Sequence, residues 1–387
     1  MNKYFVFNPD HEIALASRDI HFKPKQNIEK IANDLSILPL WIEGDSLVEK
    51  SCINPEWLLM AKTLGLQPRI VDRVNPQNVS EIKVWGWNQS LCYTLSKEGF
   101  AKNLLPTPER LSAISLLTER KTAWEAMKWL RERLPDADFP IAPRLVSSTD
   151  EILEFLQQYD EITLKSPLSE SGKGVYFAKE IESHSIRGWI ERTLRKQNYL
   201  VCEPRYDVVK NFAMEFECGD DGVDFLGYSL FETNGKSYLR NLLMLDDDIE
   251  RILTQYISYD ILDRLKSLLL EFIVEKISPF YHGYLGVDMF IFDSKTPKLY
   301  PCIEINLRPT MGLIAHEFYK NRVSPYSKGS FEVVFFKDPK ELLQIHYEWQ
   351  KSYPLIITDG RVESGYCSLT PIFHDTNYIA RATINSN

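Results

Sequence analysis

The spacing of apolar and polar residues divides the chain into three regimes. In the first hundred or so residues, short apolar runs at 4–8, 69–72 and 82–87 alternate with stretches of helical period at 27–38 and 55–64. Short apolar runs bounded by turn formers read as strands, and apolar positions three to four apart read as helix. Strands alternating with helices predict a mostly parallel α/β sheet. Pro106-Thr107-Pro108 then punctuates the chain. A second regime begins with helical period over 111–134 and a proline-marked connector at 139–143. Ser148 with Glu151 forms a capping box ahead of a helix at 152–159. Strands at 161–165 and 174–178 flank a loop at 167–173, and a helix at 185–196 and a strand at 199–203 follow. In the third regime the period falls to two, at 212–217, 224–232 and 236–243, with Asn234-Gly235 as a hairpin turn. A long helix at 261–279 precedes two strands, 284–292 and 298–307, and further strands near 331–336 and 353–357 close the chain. The expected class is α+β, in four segments: an α/β unit at 1–108, two α+β units at 109–198 and 199–325, and a closing segment at 326–387.

Composition narrows the function. The 387 residues are 44% hydrophobic and 26% charged, the profile of a soluble globular protein of more than one domain. A net charge of −9 disfavours non-specific nucleic-acid binding. The six cysteines stand singly, without Cys-x-x-Cys spacing, and read as buried thiols rather than zinc ligands or disulfides. The apolar run near the N-terminus is too short for a secretion signal, and no stretch is long enough to span a bilayer. The expectation is a cytoplasmic protein with neither a membrane nor a nucleic acid as partner.

Two patterns carry chemistry. Lys165 ends an apolar strand and is followed by a loop containing Ser169, Ser171, Gly172 and Gly174. Such a loop lets backbone N–H groups approach anionic oxygens, although a solvated hairpin with a surface lysine has the same pattern. Further on, Glu304-x-Asn306-x-Arg308 lies on a strand, where alternate side chains share a face. Asp288 stands on the preceding strand of the expected hairpin, so Asp288, Glu304 and Asn306 form an oxygen-only cluster suited to magnesium. The other reading is an exposed face with a cross-strand ion pair. His11, His282 and His316 lack partners at ligand spacing and receive no catalytic role. Asp10, His11 and Glu12 follow the first strand, where a sheet-end ligand site forms, and read equally as a solvated turn.

The order and spacing of these pieces, from about 111 to 312, resemble the ATP-grasp superfamily. The resemblance implies an ATP-grasp fold, two subdomains clasping ATP, behind an α/β pre-ATP-grasp domain. It implies that Lys121 and Lys165 bind the α- and β-phosphates, that Ser169, Ser171, Gly172 and Gly174 fold over them, and that Glu203 holds the adenine. Asp288, Glu304 and Asn306 would bind two Mg²⁺, for which Mn²⁺ can substitute, and Arg308 would stabilise the transferred phosphoryl group. The acid that commonly takes the ribose is absent from its usual place, and Asp207 is its candidate replacement. Arg240 is the candidate for holding a substrate carboxylate. The activity implied is a carboxylate–amine ligase joining a small acid and an amine, such as amino acids or a peptide, through an acyl phosphate. A small-molecule kinase on the same fold, or a non-catalytic nucleotide-binding protein, stay open as alternatives.

Overall fold

A computed structural model describes residues 2–169, 174–181, 183–235 and 237–386. The opening segment runs β1 (Lys3–Val6), α1 (His11–Ser17), α2 (Gln26–Asp34), β2 (Leu47–Glu49), α3 (Pro55–Thr63), β3 (Arg69–Val71), β4 (Glu81–Val84) and α4 (Gln89–Glu98). Its sheet has the order β3-β2-β1-β4 with every pairing parallel, as the alternation of strands and helices predicts. β2 has three residues, too few to show a period. α4 is bounded by its caps: Asn88 accepts from Leu91 N at 2.9 Å, and Gly99 ends the helix at φ 95°, a conformation glycine adopts without strain.

The second segment comprises α5 (Pro108–Thr118), α6 (Arg120–Arg133), β5 (Arg144–Val146), α7 (Thr149–Leu156), β6 (Ile162–Lys165), β7 (Val175–Ala178), α8 (His184–Gln197) and β8 (Leu200–Pro204). The strands form an antiparallel sheet, β5-β8-β6-β7. The single helix expected over 111–134 is two helices. Glu119 adopts extended backbone between them, and the Arg120 N–H leaves the helical ladder to donate to Pro167 O at 3.0 Å.

The remainder is β9 (Val208–Gly219), β10 (Gly222–Asn234), β11 (Ser237–Leu243), α9 (Asp246–Leu253), α10 (Tyr259–Lys276), β12 (Gly283–Phe292), β13 (Lys298–Asn306), α11 (Met311–Arg322), β14 (Ser327–Phe335), α12 (Pro339–Ser352), β15 (Ile356–Thr358), β16 (Arg361–Ser368) and β17 (Tyr378–Ser386). All nine strands join one sheet, β13-β12-β9-β10-β11-β14-β17-β16-β15. The segment after residue 325 is therefore no separate layer: β14 pairs with the free edge of β11, and β17 pairs with β14.

Two of the hydrophobic cores join the segments to one another. Met127 and Leu130 of α6 and Leu269 and Phe272 of α10 are buried with Phe212, Met214, Phe216 and Val287 of the large sheet. Trp41 and Trp57 of the opening segment share a second core with Phe318 of α11 and Ala380 and Ala382 of β17. Trp41 meets both Trp57 and Phe318 edge-on, and its ring N–H donates to Leu369 O at 2.8 Å. The first and last segments are thus fastened to each other through α11. No helix among the described residues is long and apolar enough to cross a membrane.

Candidate active site

The antiparallel register of β12 and β13 sets Asp288 opposite Glu304 and Gly286 opposite Asn306, so the three polar residues share one face. Asn306 donates from Nδ2 to Asp288 Oδ2 at 3.1 Å. Burial first, then the charges of Glu304 and Glu215, push the Asp288 carboxyl up to about 8. The apolar alternation of the two strands, with Val287, Ile305 and Leu307 packed behind, produces this geometry. No three His, Cys, Asp or Glu side chains group closely enough to hold a metal by themselves among the described residues. The donor set here is two carboxylates and an amide. Magnesium takes few protein oxygens and fills the rest of its shell with water and phosphate, so the chemistry of the set fits that ion.

Three cations converge on this face and its neighbourhood, and each is already paired. Arg120, 5% exposed, reaches Glu304 at 2.9 and 3.0 Å and donates to Ser166 O at 2.5 Å and Ser169 Oγ at 3.0 Å. Arg308 pairs with Glu12 of α1 at 2.9 Å and donates to Asn306 Oδ1 at 3.0 Å. Lys165 pairs with Glu203 at 2.5 Å, and Glu203 also accepts from Tyr300 OH at 2.6 Å. Arg120 thus ties α6 and the loop after β6 to the acidic face, and Glu12 ties the opening segment to the end of β13. Asp10, His11 and Glu12 form no solvated turn: His11 and Glu12 are buried, and burial drives the His11 ring down to about 3.

A cavity of about 670 Å³ opens between the two antiparallel sheets. Lys165, Glu203, Tyr206, Asp207, Asn211 and Phe290 are among its walls. Its charged groups lie near aromatic rings, a combination that suits a ligand with a flat base and an anionic tail.

The expected residues distribute unevenly. Asp288, Glu304, Asn306 and Arg308 come together, and Lys165, Glu203 and Asp207 share the cavity. Ser169 reaches the acidic face through Arg120. Gly174 carries the carbonyl that accepts from Ser166 N at 2.9 Å, and a Cβ there would collide with the side chains of Ser166 and Ser169. Ser171 and Gly172 lie outside the described residues. Lys121 does not join the cluster. It is exposed and borders a separate cavity beside Glu119 and Tyr199. The buried face of α6 runs through Arg120, Ala123, Met127 and Leu130, which turns position 120 inward and 121 outward. Arg240 is drawn to Glu232 at 2.8 Å on the neighbouring strand, at the cavity's rim, and not to the acidic face.

Glu215 is absent from the expected set. Its side chain, 1% exposed, lies across from Gly286 in the register of β9 and β12. Its Oε1 accepts from Thr310 at 2.8 Å and Ser229 at 2.9 Å, and its Oε2 has no hydrogen-bond partner among the described residues. Burial raises its carboxyl above the ordinary range. Glycine at 286 and 312 makes room for it, since a Cβ at either would press on its carboxylate. Glu215 and Glu217 alternate with Met214 and Phe216, the period-two pattern of a strand, which does not tell a buried acid from an exposed one. Recognising Glu215 as buried requires α11, which covers that face.

No protein-family model matches the sequence, and no curated protein matches it by sequence. Solved structures do resemble its fold. The N5-carboxyaminoimidazole synthetase of Staphylococcus aureus, complexed with ADP, matches all of this chain and 94% of its own at 13% identity and a TM-score of 0.50. The biotin carboxylase of Campylobacter jejuni matches all of this chain and 87% of its own at 11% identity and 0.53. The biotin carboxylase domain of the 2-oxoglutarate carboxylase of Hydrogenobacter thermophilus matches all of this chain and 86% of its own at 12% and 0.52. The fold is the α+β ATP-grasp fold that the motif order implies, and the likeness extends over the opening and closing segments.

Proposed function

We propose that this protein is an ATP- and Mg²⁺-dependent carboxylate–amine ligase. The observation that carries the reading is the convergence of Asp288, Glu304 and Asn306 on one face, with Arg120 and Arg308 bonded to it. Lys165 stands in the adjoining cavity, and the similar S. aureus structure holds ADP. In this reading a substrate carboxylate attacks the γ-phosphorus of ATP and ADP leaves. The amine then attacks the acyl phosphate, giving an amide, inorganic phosphate and a proton. Asp288, Glu304 and Asn306 would hold magnesium, which supplies positive charge beside the phosphate oxygens. Lys165 and Arg120 would bind phosphate oxygens, and Arg308 would neutralise charge on the transferring group. Glu203 and Asp207 would border the base and ribose, and the loop carrying Ser169, Ser171, Gly172 and Gly174 would close over the phosphates. No protein nucleophile is required, because positioning and electrostatics carry phosphoryl transfer. Amino acids or a peptide are the substrates proposed.

The test is a screen of ADP release over pairs of amino acids and small acids, with mass spectrometry of the product. A ligase releases phosphate only when acid and amine are both present. A phosphorylated product that needs one substrate would mean a kinase instead. Glu304→Ala should abolish turnover while the circular dichroism spectrum is kept, and normal turnover in that variant would remove the metal assignment.

A further inference from the structure

A second cavity, about 290 Å³, lies far along the chain from the nucleotide residues, at the seam between α3 of the opening segment and α12 and β16 of the closing one. That volume is near the lower end of small-molecule sites. Trp57, Tyr347 and Tyr366 contribute rings to its wall, and Met60, Leu343 and Leu355 contribute apolar surface. No Lys or Arg is among the lining residues. The one carboxylate is Glu56, in the first turn of α3. It accepts from Gln350 Nε2 at 2.5 Å, and its only ion-pair partner among the described residues is His346 at 3.7 Å. Burial outweighs the pull of Glu56 and lowers the pKa of the His346 ring from its ordinary value. His346 is itself held by Tyr366 OH at 2.9 Å.

An aromatic wall with one carboxylate and no lysine or arginine has the chemistry that recognises an organic cation: ring faces attract an ammonium, and the carboxylate supplies its counter-charge. We propose that this cavity binds a small ammonium ion with an apolar body, at a site separate from the nucleotide cleft. The anion of the same shape should be rejected, because Glu56 would repel it and no lysine or arginine lines the wall to offset its charge.

The experiment is calorimetric titration of the full chain with phenethylamine and, separately, with phenylacetate. Phenethylamine should bind saturably, and phenylacetate at least tenfold more weakly. Glu56→Gln should weaken phenethylamine binding at least tenfold, and Tyr347→Ala should weaken it too. ADP binding, titrated in parallel, should be the same in both variants as in the wild type. Absence of saturable phenethylamine binding, equal binding of phenylacetate, or unchanged affinity in Glu56→Gln would overturn the proposal. Should Glu56→Gln fail to fold, wild-type affinity in Tyr347→Ala, an exposed position, would overturn it as well. None of these results depends on whether the nucleotide cleft is a ligase site.

Discussion

Arg120 is the side chain whose removal tests the site most directly. Arg120→Met keeps most of the volume and removes the charge. The guanidinium is buried and Glu304 is 22% exposed, so the change strands a carboxylate that has lost its partner. Breaking a fully buried pair from one side costs about 3–5 kcal/mol. Water reaches part of Glu304, which lowers that share to about 2 kcal/mol, and losing the bonds to Ser166 O and Ser169 Oγ adds roughly 1 kcal/mol. Urea unfolding should therefore show the variant about 3 kcal/mol less stable. Magnesium sharpens the test. With Arg120 gone, Glu304 loses its ion-pair partner, and a divalent ion between Glu304 and Asp288 restores the balance. Added MgCl₂ should raise the melting temperature of Arg120→Met by several degrees more than that of the wild type. The kcat/KM for ADP release should fall at least a hundredfold, about 2.7 kcal/mol of lost transition-state binding. Arg120→Lys, which keeps the charge without the two-pronged geometry, should fall between the two. Wild-type stability in Arg120→Met, together with a wild-type response to magnesium, would show that the pair with Glu304 does nothing, and the reasoning would fail.

Stability should peak near neutral pH for two histidines of opposite sense. Burial pulls His316 down, but its bonds to Asp246 and Glu317 outweigh that and raise it from 6.5 to about 9; its contribution, about 3 kcal/mol at most, is full below pH 6.5 and is lost as pH rises towards 9, so His316→Asn should flatten the alkaline arm of a melting curve against pH. His11, lowered to about 3, acts the other way: its contribution is present above pH 6.5 and drains away as the pH falls towards 3. Gly286→Ala would set a methyl 2.7 Å from Thr310 Cγ2 and 2.8 Å from Glu215 Oε2, and denaturant unfolding should show a loss of about 2 kcal/mol from overpacking. Lys121→Ala, at an exposed position away from the acidic face, should leave kcat/KM within about twofold and stability within about 0.5 kcal/mol. Chelation of Mg²⁺ with EDTA should weaken ADP binding at least a hundredfold in a calorimetric titration.

The β12–β13 hairpin was legible because Glu304 and Asn306 alternate with Ile303, Ile305 and Leu307, and the antiparallel register then sets Asp288 opposite Glu304, ahead of the irregularity between Asp288 and Phe290. The parallel opening sheet was legible for the same kind of reason. α11 was not. Its first residues, Met311 to Ala315, are apolar on every side because they pack between the large sheet and the opening segment, and its polar residues gather in the second half, so no amphipathic stripe runs along it. Missing α11 hid Glu215, whose partner Thr310 caps that helix by accepting from Leu313 N at 2.9 Å. Arg120 was hidden by its neighbour. A lysine at 121 matches the expected residue type, but the apolar spacing of Ala123, Met127 and Leu130 runs back to 120. Residue identity pointed to one position and helical phase to the next, and the packing follows phase. Of the closing strands, those expected near 331–336 and 353–357 overlap β14 and β15, whereas β17 escaped because it gains its stability from pairing with β14, a contact between distant parts of the chain that local period does not report.

The pairing of every cation near the acidic face suggests how the proposed ligands enter. Glu304 is held by Arg120, Glu203 by Lys165 and Glu12 by Arg308, while Asp288 is left with a raised carboxyl. The three ion pairs balance, and the raised Asp288 carboxyl holds its proton at neutral pH and adds no full charge. A nucleotide carrying about −4 could reach those cations alone only by stranding three carboxylates in a partly buried cluster. Two magnesium ions alone, about +4, would find Glu304 engaged by Arg120 and the oxygen of Asn306 engaged by Arg308. Entering together, they leave the net charge as it was. The arginines pass from carboxylate to phosphate and the carboxylates from arginine to metal, so each charge keeps a partner of opposite sign. Exchanging partners in a buried site costs little, whereas removing one costs several kcal/mol. That asymmetry is the physical reason to expect metal and nucleotide to bind as a unit in this cleft.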